Sequence, residues 1–207
     1  MAGPTRHTTQ AAAYLAAVVD SSHDAIITLD LSGVILTWNK SAERIYGYTA
    51  EEAIHQRILL LIPAHLHAEE ASILARLRNG ELIDHYETVR QCKGGRRVEV
   101  SLTVSPITDA AGTIVGASKI SRDITERKRA ERSQAALQEF TDRLVRAASV
   151  DNVQEAALDA IIRALACDRA SILMFDSAGV MKFVAWRGLS DGYRHAVEGH
   201  SPWTREC

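Results

Sequence analysis

The sequence lacks the features that indicate a secreted, membrane-spanning or disulfide-bonded protein. Its three cysteines, Cys92, Cys167 and Cys207, are far apart and form no CxxC pair, so they indicate reduced thiols rather than a disulfide framework. No apolar run approaches the roughly 18 residues of a membrane-spanning helix. Residues 1–10 also lack the apolar stretch of a signal peptide. These absences predict a cytoplasmic protein that does not enter a membrane.

An excess of charge of one sign is also missing. The chain has 24 basic and 26 acidic residues, for a net charge of −2. This balance offers no electrostatic reason to expect nucleic acid or an anionic membrane as a partner. With 46% hydrophobic residues among 207, the chain can bury a sizeable core, in one large domain or two small ones.

Motifs for catalysis or metal binding are not found either. The sequence has neither GxxxxGK[ST] nor GxGxxG to hold a phosphate. A kinase phosphoacceptor needs a histidine followed by an acidic residue and a proline on a long helix, whereas His23 and Asp24 lead into a predicted strand. His65 and His67 are two residues apart on a predicted helix and point to different sides of it. We therefore expect no enzymatic activity and no metal site.

What the sequence does contain is a run of short elements. Residues 1–10 are polar and predicted to be disordered, and apolar residues at helical spacing predict an amphipathic helix over Gln10–Ser21. The β-branched runs Ala25–Asp30 and Val34–Trp38 enclose the turn Leu31–Gly33, which predicts a β-hairpin.

Capping residues predict two short helices after this hairpin. Asn39 can cap the helix Lys40–Tyr46, which Gly47 ends. Thr49 followed three residues later by Glu52 is the pattern of a capping box and begins the next helix.

A longer helix and three strands complete the first region. The helix is predicted over Ala64–Arg78, and alternating apolar residues predict strands over His85–Gln91, Arg97–Pro106 and Thr113–Ser121. Together with the hairpin, these elements predict an α+β domain of about 110 residues built on a five-stranded antiparallel sheet.

Several local segments stand out along these elements: Asp24–Ile26, Asp30–Gly33, Trp38–Glu43 with Tyr46–Tyr48, Gly94–Arg97 and Arg122–Lys128. Together with the order of the elements, these segments resemble the PAS family of the S-box type. Each is weak alone, but they occur in the family's order over about 100 residues. The resemblance implies a PAS fold over 11–125 and a role in sensing.

A helical linker and a second domain are predicted after it. Residues 126–150 read as a continuous helix in which Leu137, Phe140, Leu144 and Ala147 follow coiled-coil spacing. It resembles the helix that joins sensory modules, although it could instead pack on its own domain. Residues 151–207 resemble the N-terminal part of a GAF domain, a partial α/β segment that we expect to be truncated at Cys207.

The resemblance to PAS proteins raises the question of a cofactor. Haem-binding relatives carry a ligand histidine about seven residues after the proline that leads the long helix, and counting from Pro63 reaches Glu70. Flavin-binding relatives that form an adduct use a cysteine in the helical region, where this chain has none. We therefore expect neither haem nor flavin.

A small apolar ligand is the remaining possibility for a sensor of this family. A pocket between the sheet and the short helices is predicted, with these candidate lining residues: Ile27, Leu36, Trp38, Ile45, Leu74, Val100, Leu102 and Ile120. The alternative is that these side chains simply fill the core.

Two polar residues are predicted to relay a signal. Asp123 and Thr125 resemble the Asp-Ile-Thr junction that couples the last strand to the output helix in PAS proteins. Both side chains can accept hydrogen bonds from the first N–H groups of a helix. An ordinary N-cap without a signalling role is the alternative.

These residues predict a sensory input module of a larger protein, as in bacterial sensor histidine kinases. It would form a homodimer through Gln10–Ser21 and Ile124–Ala148 and relay a signal to a downstream effector domain. The alternatives are a fragment of a sensor histidine kinase or cyclic-dinucleotide enzyme, and a stand-alone protein-protein interaction module.

Overall fold

The structure, a computed structural model, describes residues 5–198, with the backbone alone for residues 5–9. The chain divides into two compact units that meet at Thr125 and Glu126. Residues 199–207 of the predicted GAF segment, including Cys207, lie outside the described part.

The first unit is built on a five-stranded antiparallel sheet with strand order β2-β1-β5-β4-β3. Its strands are β1 (Ala25–Asp30), β2 (Ile35–Trp38), β3 (Ile83–Gln91), β4 (Arg97–Thr108) and β5 (Ile114–Asp123). Its helices are α1 (Thr5–Ser21), α2 (Lys40–Tyr46), α3 (Ala50–Ala53) and α4 (His67–Arg78), with 3₁₀ turns at Ile58–Leu61, Ala64–Leu66 and Lys93–Gly95. The predicted α+β fold and its five-stranded sheet are confirmed.

The prediction of a disordered stretch through residue 10 is wrong for its second half. Helix α1 begins at Thr5 rather than at Gln10. Once a helix is nucleated, each added residue gains a backbone hydrogen bond. The alanines at 11–13 supply that nucleus, so the polar residues before them join the helix.

Capping residues set the two short helices as predicted. The Asn39 side chain accepts a hydrogen bond from the Ala42 N–H, and α2 ends at Gly47, whose φ of 80° is the left-handed conformation that glycine adopts without strain. Thr49 and Glu52 form the complete capping box of α3.

The core of the first unit lies on one face of the sheet. Large side chains that are almost fully buried there include Ile27, Leu29, Ile35, Tyr46, Leu77 and Leu102. The alternation of β4, in which Val98, Val100 and Val104 are buried between half-exposed neighbours, shows that this face is the inner one.

The second unit consists of helices and a two-stranded hairpin. Its helices are α5 (Thr125–Val145, beginning at the last residue of the first unit), α6 (Val150–Leu165) and α7 (Asp191–Val197), and its strands are β6 (Ala170–Phe175) and β7 (Met181–Arg187). The linker was predicted to continue as helix to residue 150, but α5 ends at Val145.

In this unit α5 and α6 run antiparallel. Arg143 contacts Asp159 at 2.8 Å and Glu139 contacts Arg163, so residues later in α5 meet residues earlier in α6. The linker helix therefore packs against α6 of the same unit. Within the described residues, no helix is both long enough and apolar enough to span a bilayer.

Candidate functional site

The junction between β5 and α5 joins two strands to the start of one helix. The Asp123 carboxylate accepts a hydrogen bond from the Thr125 N–H at 2.8 Å. The Ile124 N–H donates to the Glu99 carbonyl at 2.9 Å, and the Thr125 hydroxyl accepts from the Glu99 N–H at 3.3 Å. Asp123 therefore accepts the predicted hydrogen bond from an N–H at the helix start, and the Thr125 hydroxyl bonds to β4.

An ion pair fastens the beginning of β1 beside this junction. The Arg122 guanidinium donates to both oxygens of Asp24, at 3.1 and 2.9 Å. This bidentate geometry fixes orientation as well as distance. The hydrogen bonds and charge of Asp24 raise the pKa of Arg122, so the cation is held at all physiological pH values.

Asn39 ties α1 to the same end of β1. Its side-chain oxygen accepts from the N–H groups of Ile26 and Ala42, at 3.0 and 2.9 Å. Its amide donates to the carbonyls of Val19 and Asp24, at 2.9 and 3.1 Å. All four bonds are made by one buried side chain, so α1, β1 and α2 are positioned together.

The eight predicted pocket residues do not come together in one pocket. Four of them fill the core: Ile27, Trp38, Val100 and Leu102. Ile45 packs at the edge of that core, and Leu74 lines a cavity. Leu36 and Ile120 are 47% and 37% exposed, so their prediction as pocket residues is wrong.

Strand register explains both errors. The pairing of β1 with β2 shifts between Thr28 and Leu29, which leaves Leu36 in a bulge facing outward. Ile120 lies directly opposite Thr103 of β4, and opposed residues of an antiparallel pair share a face. The neighbours of Thr103 in β4 are buried on the inner face, so Thr103 itself faces outward. Ile120 therefore also lies on the outer face.

The cavity that Leu74 lines lies elsewhere than predicted, between α4 and the turn that joins β1 to β2. It has a volume of about 160 Å³, and its wall includes Gly33 of the turn, Ile58 of the 3₁₀ helix, and His67, Glu70 and Leu74 of α4. Apolar and polar residues therefore share the wall of this cavity.

A buried cluster of four charged residues joins α4 to the inner face of the sheet. Lys119 of β5 pairs with Glu70 of α4, and their side chains are 3% and 2% exposed. Arg90 of β3 pairs with Glu69 at 3.0 Å and lies 3.9 Å from Glu70. The Thr88 hydroxyl donates to Glu69 and accepts from Arg90, each at 3.1 Å.

The electrostatics of this cluster are set by burial. Desolvation lowers the pKa of Lys119, although the adjacent Glu70 carboxylate opposes that shift. One Glu70 oxygen, Oε2, has no hydrogen-bond partner among the described residues. Nearby, burial raises the pKa of Tyr46 to about 12, with a hydrogen bond to Ser121 opposing it.

The sequence did not reveal this cluster, because the alternation of apolar residues along β5 suggests that Lys119 faces outward. The neighbouring Ile120 is the larger apolar residue, so it was placed inward. The pairing of Lys119 with Val104 puts the lysine inside. Counting pairs back from the turn at Asp109–Gly112 without the irregularity at Thr108 would place Ser118 opposite Val104, so the turn alone does not reveal this register.

The chain resembles known signalling proteins in its sequence. Residues 13–124 match the family described as PAS fold. Two-component system protein A of Emericella nidulans is 38% identical over 131 residues, which cover 61% of this chain and 19% of that protein. Sensor protein FixL of Bradyrhizobium diazoefficiens is 26% identical over 149 residues, covering 70% of this chain and 28% of FixL.

A solved structure has the same fold. The PAS domain of a protein from Colwellia psychrerythraea is 31% identical with a TM-score of 0.52, and the match covers 56% of this chain and 98% of that domain. The chain therefore spans nearly all of a solved domain of this kind, but under a third of the length of either curated relative.

Proposed function

Because this chain belongs to the PAS family over residues 13–124, we propose that it is the sensory input part of a larger signalling protein and relays its signal through α5. Similarity to sensor and two-component proteins supports the sensing role. The observation that carries the relay is the junction at Asp123–Thr125, where one helix start is bonded to two strands of the sheet.

The relay follows from those bonds. Asp123 is the last residue of β5, and its carboxylate holds the first N–H of α5. Ile124 and Thr125 bind the backbone of Glu99 on both its polar atoms. A displacement of either strand would therefore break or strain bonds at the helix start, and α5 would have to move or fray.

The signal would pass between two copies of the chain through α5 and α6. With 3.6 residues per turn, the charged residues of α5 from Glu131 onward all fall within an arc of about 120°. Those of α6 do the same. Because the helices run antiparallel, their uncharged sides fall on one face of the hairpin. Two identical copies can meet on such a face without opposing like charges.

Exposed apolar side chains occupy this face. Leu137 is 64% exposed, and Leu144 of the same helix and Ile161 of α6 are also exposed. Phe140 and Ala147, which were placed in the coiled-coil stripe, are half-buried. A second copy would cover the leucines and Ile161, which favours a four-helix contact over a two-stranded coiled coil.

A ligand of the cavity is the proposed stimulus, and haem or flavin is not part of the proposal. The position counted for a haem ligand, Glu70, is committed to an ion pair with Lys119. For the second unit, the order of α6, the β6–β7 hairpin and α7 supports a GAF-like assignment, which remains a proposal together with the downstream effector. A histidine kinase fragment and a stand-alone interaction module remain the alternatives.

Sedimentation of the full chain tests the dimer on which the relay depends. We expect a concentration-dependent dimer that Leu137→Glu dissociates, because the change places a charge in the uncharged face. Gln138→Glu is the matched control: it adds the same charge at the adjacent position, turned away from that face, and should leave the dimer intact. A chain that stays monomeric at high micromolar concentration contradicts the proposal.

A further inference from the structure

Glu70 takes part in two features at once. It forms part of the wall of the 160 Å³ cavity beside α4. Its carboxylate also pairs with Lys119 in the interior of the first unit, where both side chains are almost fully buried. Any change in the cavity that moves this side chain therefore acts on an ion pair.

Lys119 in turn belongs to the strand that ends at the junction. It is paired with Ile27 of β1 on one side and with Val104 of β4 on the other, so it cannot shift independently of the sheet. Four residues later, Asp123 of the same strand accepts the Thr125 N–H at 2.8 Å. Glu70, Lys119 and the start of α5 thus lie along one continuous path.

A displacement of Glu70 would act strongly on Lys119. Glu70 Oε2 has no hydrogen-bond partner within residues 5–198, and Arg90, 3.9 Å away, is already bonded to Glu69 at 3.0 Å. Withdrawing Glu70 would leave Lys119 buried beside the positive Arg90, an arrangement that is strongly unfavourable. The strand would have to adjust to restore a partner for the lysine.

We infer that the Glu70–Lys119 ion pair couples the cavity beside α4 to the start of α5, which makes both residues positioning residues of the proposed relay. The inference rests on the proposed function, since it supplies a path from a ligand site to the relay helix. The ion pair links α4 to one particular strand, β5. A packed apolar contact would hold α4 against the sheet without linking it to one strand.

Hydrogen exchange of the complete chain tests the coupling. Leu74→Ala perturbs the cavity wall, and the readout is the exchange rate of the Thr125 and Glu126 amides divided by that of the Leu102 amide, which removes changes in global stability. We expect the ratio to change at least about fivefold. In an E70M/K119M background, where the pair is replaced by side chains of similar length, Leu74→Ala should change it by less than about twofold.

The same exchange ratio is measured in two control variants. Leu82→Ala, on an exposed leucine beyond α4, should have no effect in either background. Lys119→Arg keeps the ion pair and should keep the response. If E70M/K119M does not fold, E70Q/K119Q removes the charges with less change of shape. Equal responses with and without the pair would overturn the inference. Sedimentation tests the dimer independently of this exchange experiment. A monomeric chain that still shows the exchange response would reject the proposed relay between two copies but not the coupling.

Discussion

The two units of this chain are stabilised in different ways. The first buries a continuous apolar cluster on one face of its sheet, and its charged residues inside that cluster are paired. In the second, four apolar residues are fully buried among those described: Ala136, Ala156, Leu158 and Ala185. Its ion pairs, such as Glu139–Arg163, lie at the surface.

This difference indicates which interactions stabilise each unit. Burial of apolar surface is the dominant favourable term in folding, whereas exposed ion pairs contribute little because water and salt screen them. The first unit should therefore resist unfolding on its own account. The second should open at lower free energy, as regions with few buried apolar contacts do.

Limited proteolysis tests the difference in stability between the two units most directly, and we expect its effect to be the largest. Trypsin should cut first in the second unit, between Arg146 and Arg187, and leave a resistant fragment close to 11–132. The reason is that cleavage requires local opening, which needs less free energy where little surface is buried. Mass spectrometry of the early fragments measures it. Equal resistance of both units, with a single melting transition, would show that the units stabilise each other.

Removing one partner of a buried ion pair should be the costliest substitution. We expect Lys119→Met to lower the free energy of unfolding of the first unit by about 3–5 kcal/mol, since it leaves the Glu70 charge buried without compensation. Arg163→Met breaks a surface pair in the second unit and should cost less than about 1 kcal/mol. Urea unfolding of each variant gives both values. Comparable losses would mean that Glu70 finds another partner.

Apolar truncation sharpens the same contrast. Leu102→Ala, in the core, should cost about 2–5 kcal/mol through lost burial and a remaining cavity. Leu165 is 72% exposed, so Leu165→Ala should change stability by no more than about 0.5 kcal/mol. Urea unfolding is again the measurement, and a large loss at Leu165 would place it in a contact that the dimer provides.

The smallest expected effect is a pH dependence confined to the first unit. Burial raises the pKa of Tyr46 from 10.0 to about 12. Its contribution is complete below pH 10 and declines as pH rises towards 12, because the unfolded chain loses the phenolic proton first. The slope should be about 1.4 kcal/mol per pH unit. Comparing wild type with Tyr46→Phe between pH 10 and 11 isolates it, with Tyr14→Phe, on an exposed helix, as control; equal slopes would contradict burial of the phenol.

Local rules of the sequence predicted much of the first unit. Asn39, Gly47, Thr49 and Glu52 set helix ends through hydrogen bonds that span only a few residues. Strand positions followed from alternating apolar residues, as in β4. The junction residues Asp123 and Thr125 were also found, because their bonds lie near the strand end, although the partner of Thr125 on β4 was not.

Long-range register escaped prediction. A shift of one residue in pairing exchanges the two faces of a strand, and the sequence around Lys119 and Ile120 allows either choice. Leu36 was misplaced by a bulge for the same reason. In the second unit, the heptad pattern of α5 was visible, but which of its apolar residues α6 would cover depends on how two separate helices pack.

The sequence by itself therefore determined the order of the elements, their caps and the family to which residues 13–124 belong, because these depend on contacts between near neighbours and on a pattern of such contacts. The tertiary structure alone decided that Lys119 faces inward, that Glu70 meets it from α4, and that the cavity lies beside that helix. Glu70 and Lys119 are 49 residues apart in the chain, and the free energy that pairs them depends on the desolvation of both, which exists only after the helix has packed on the sheet.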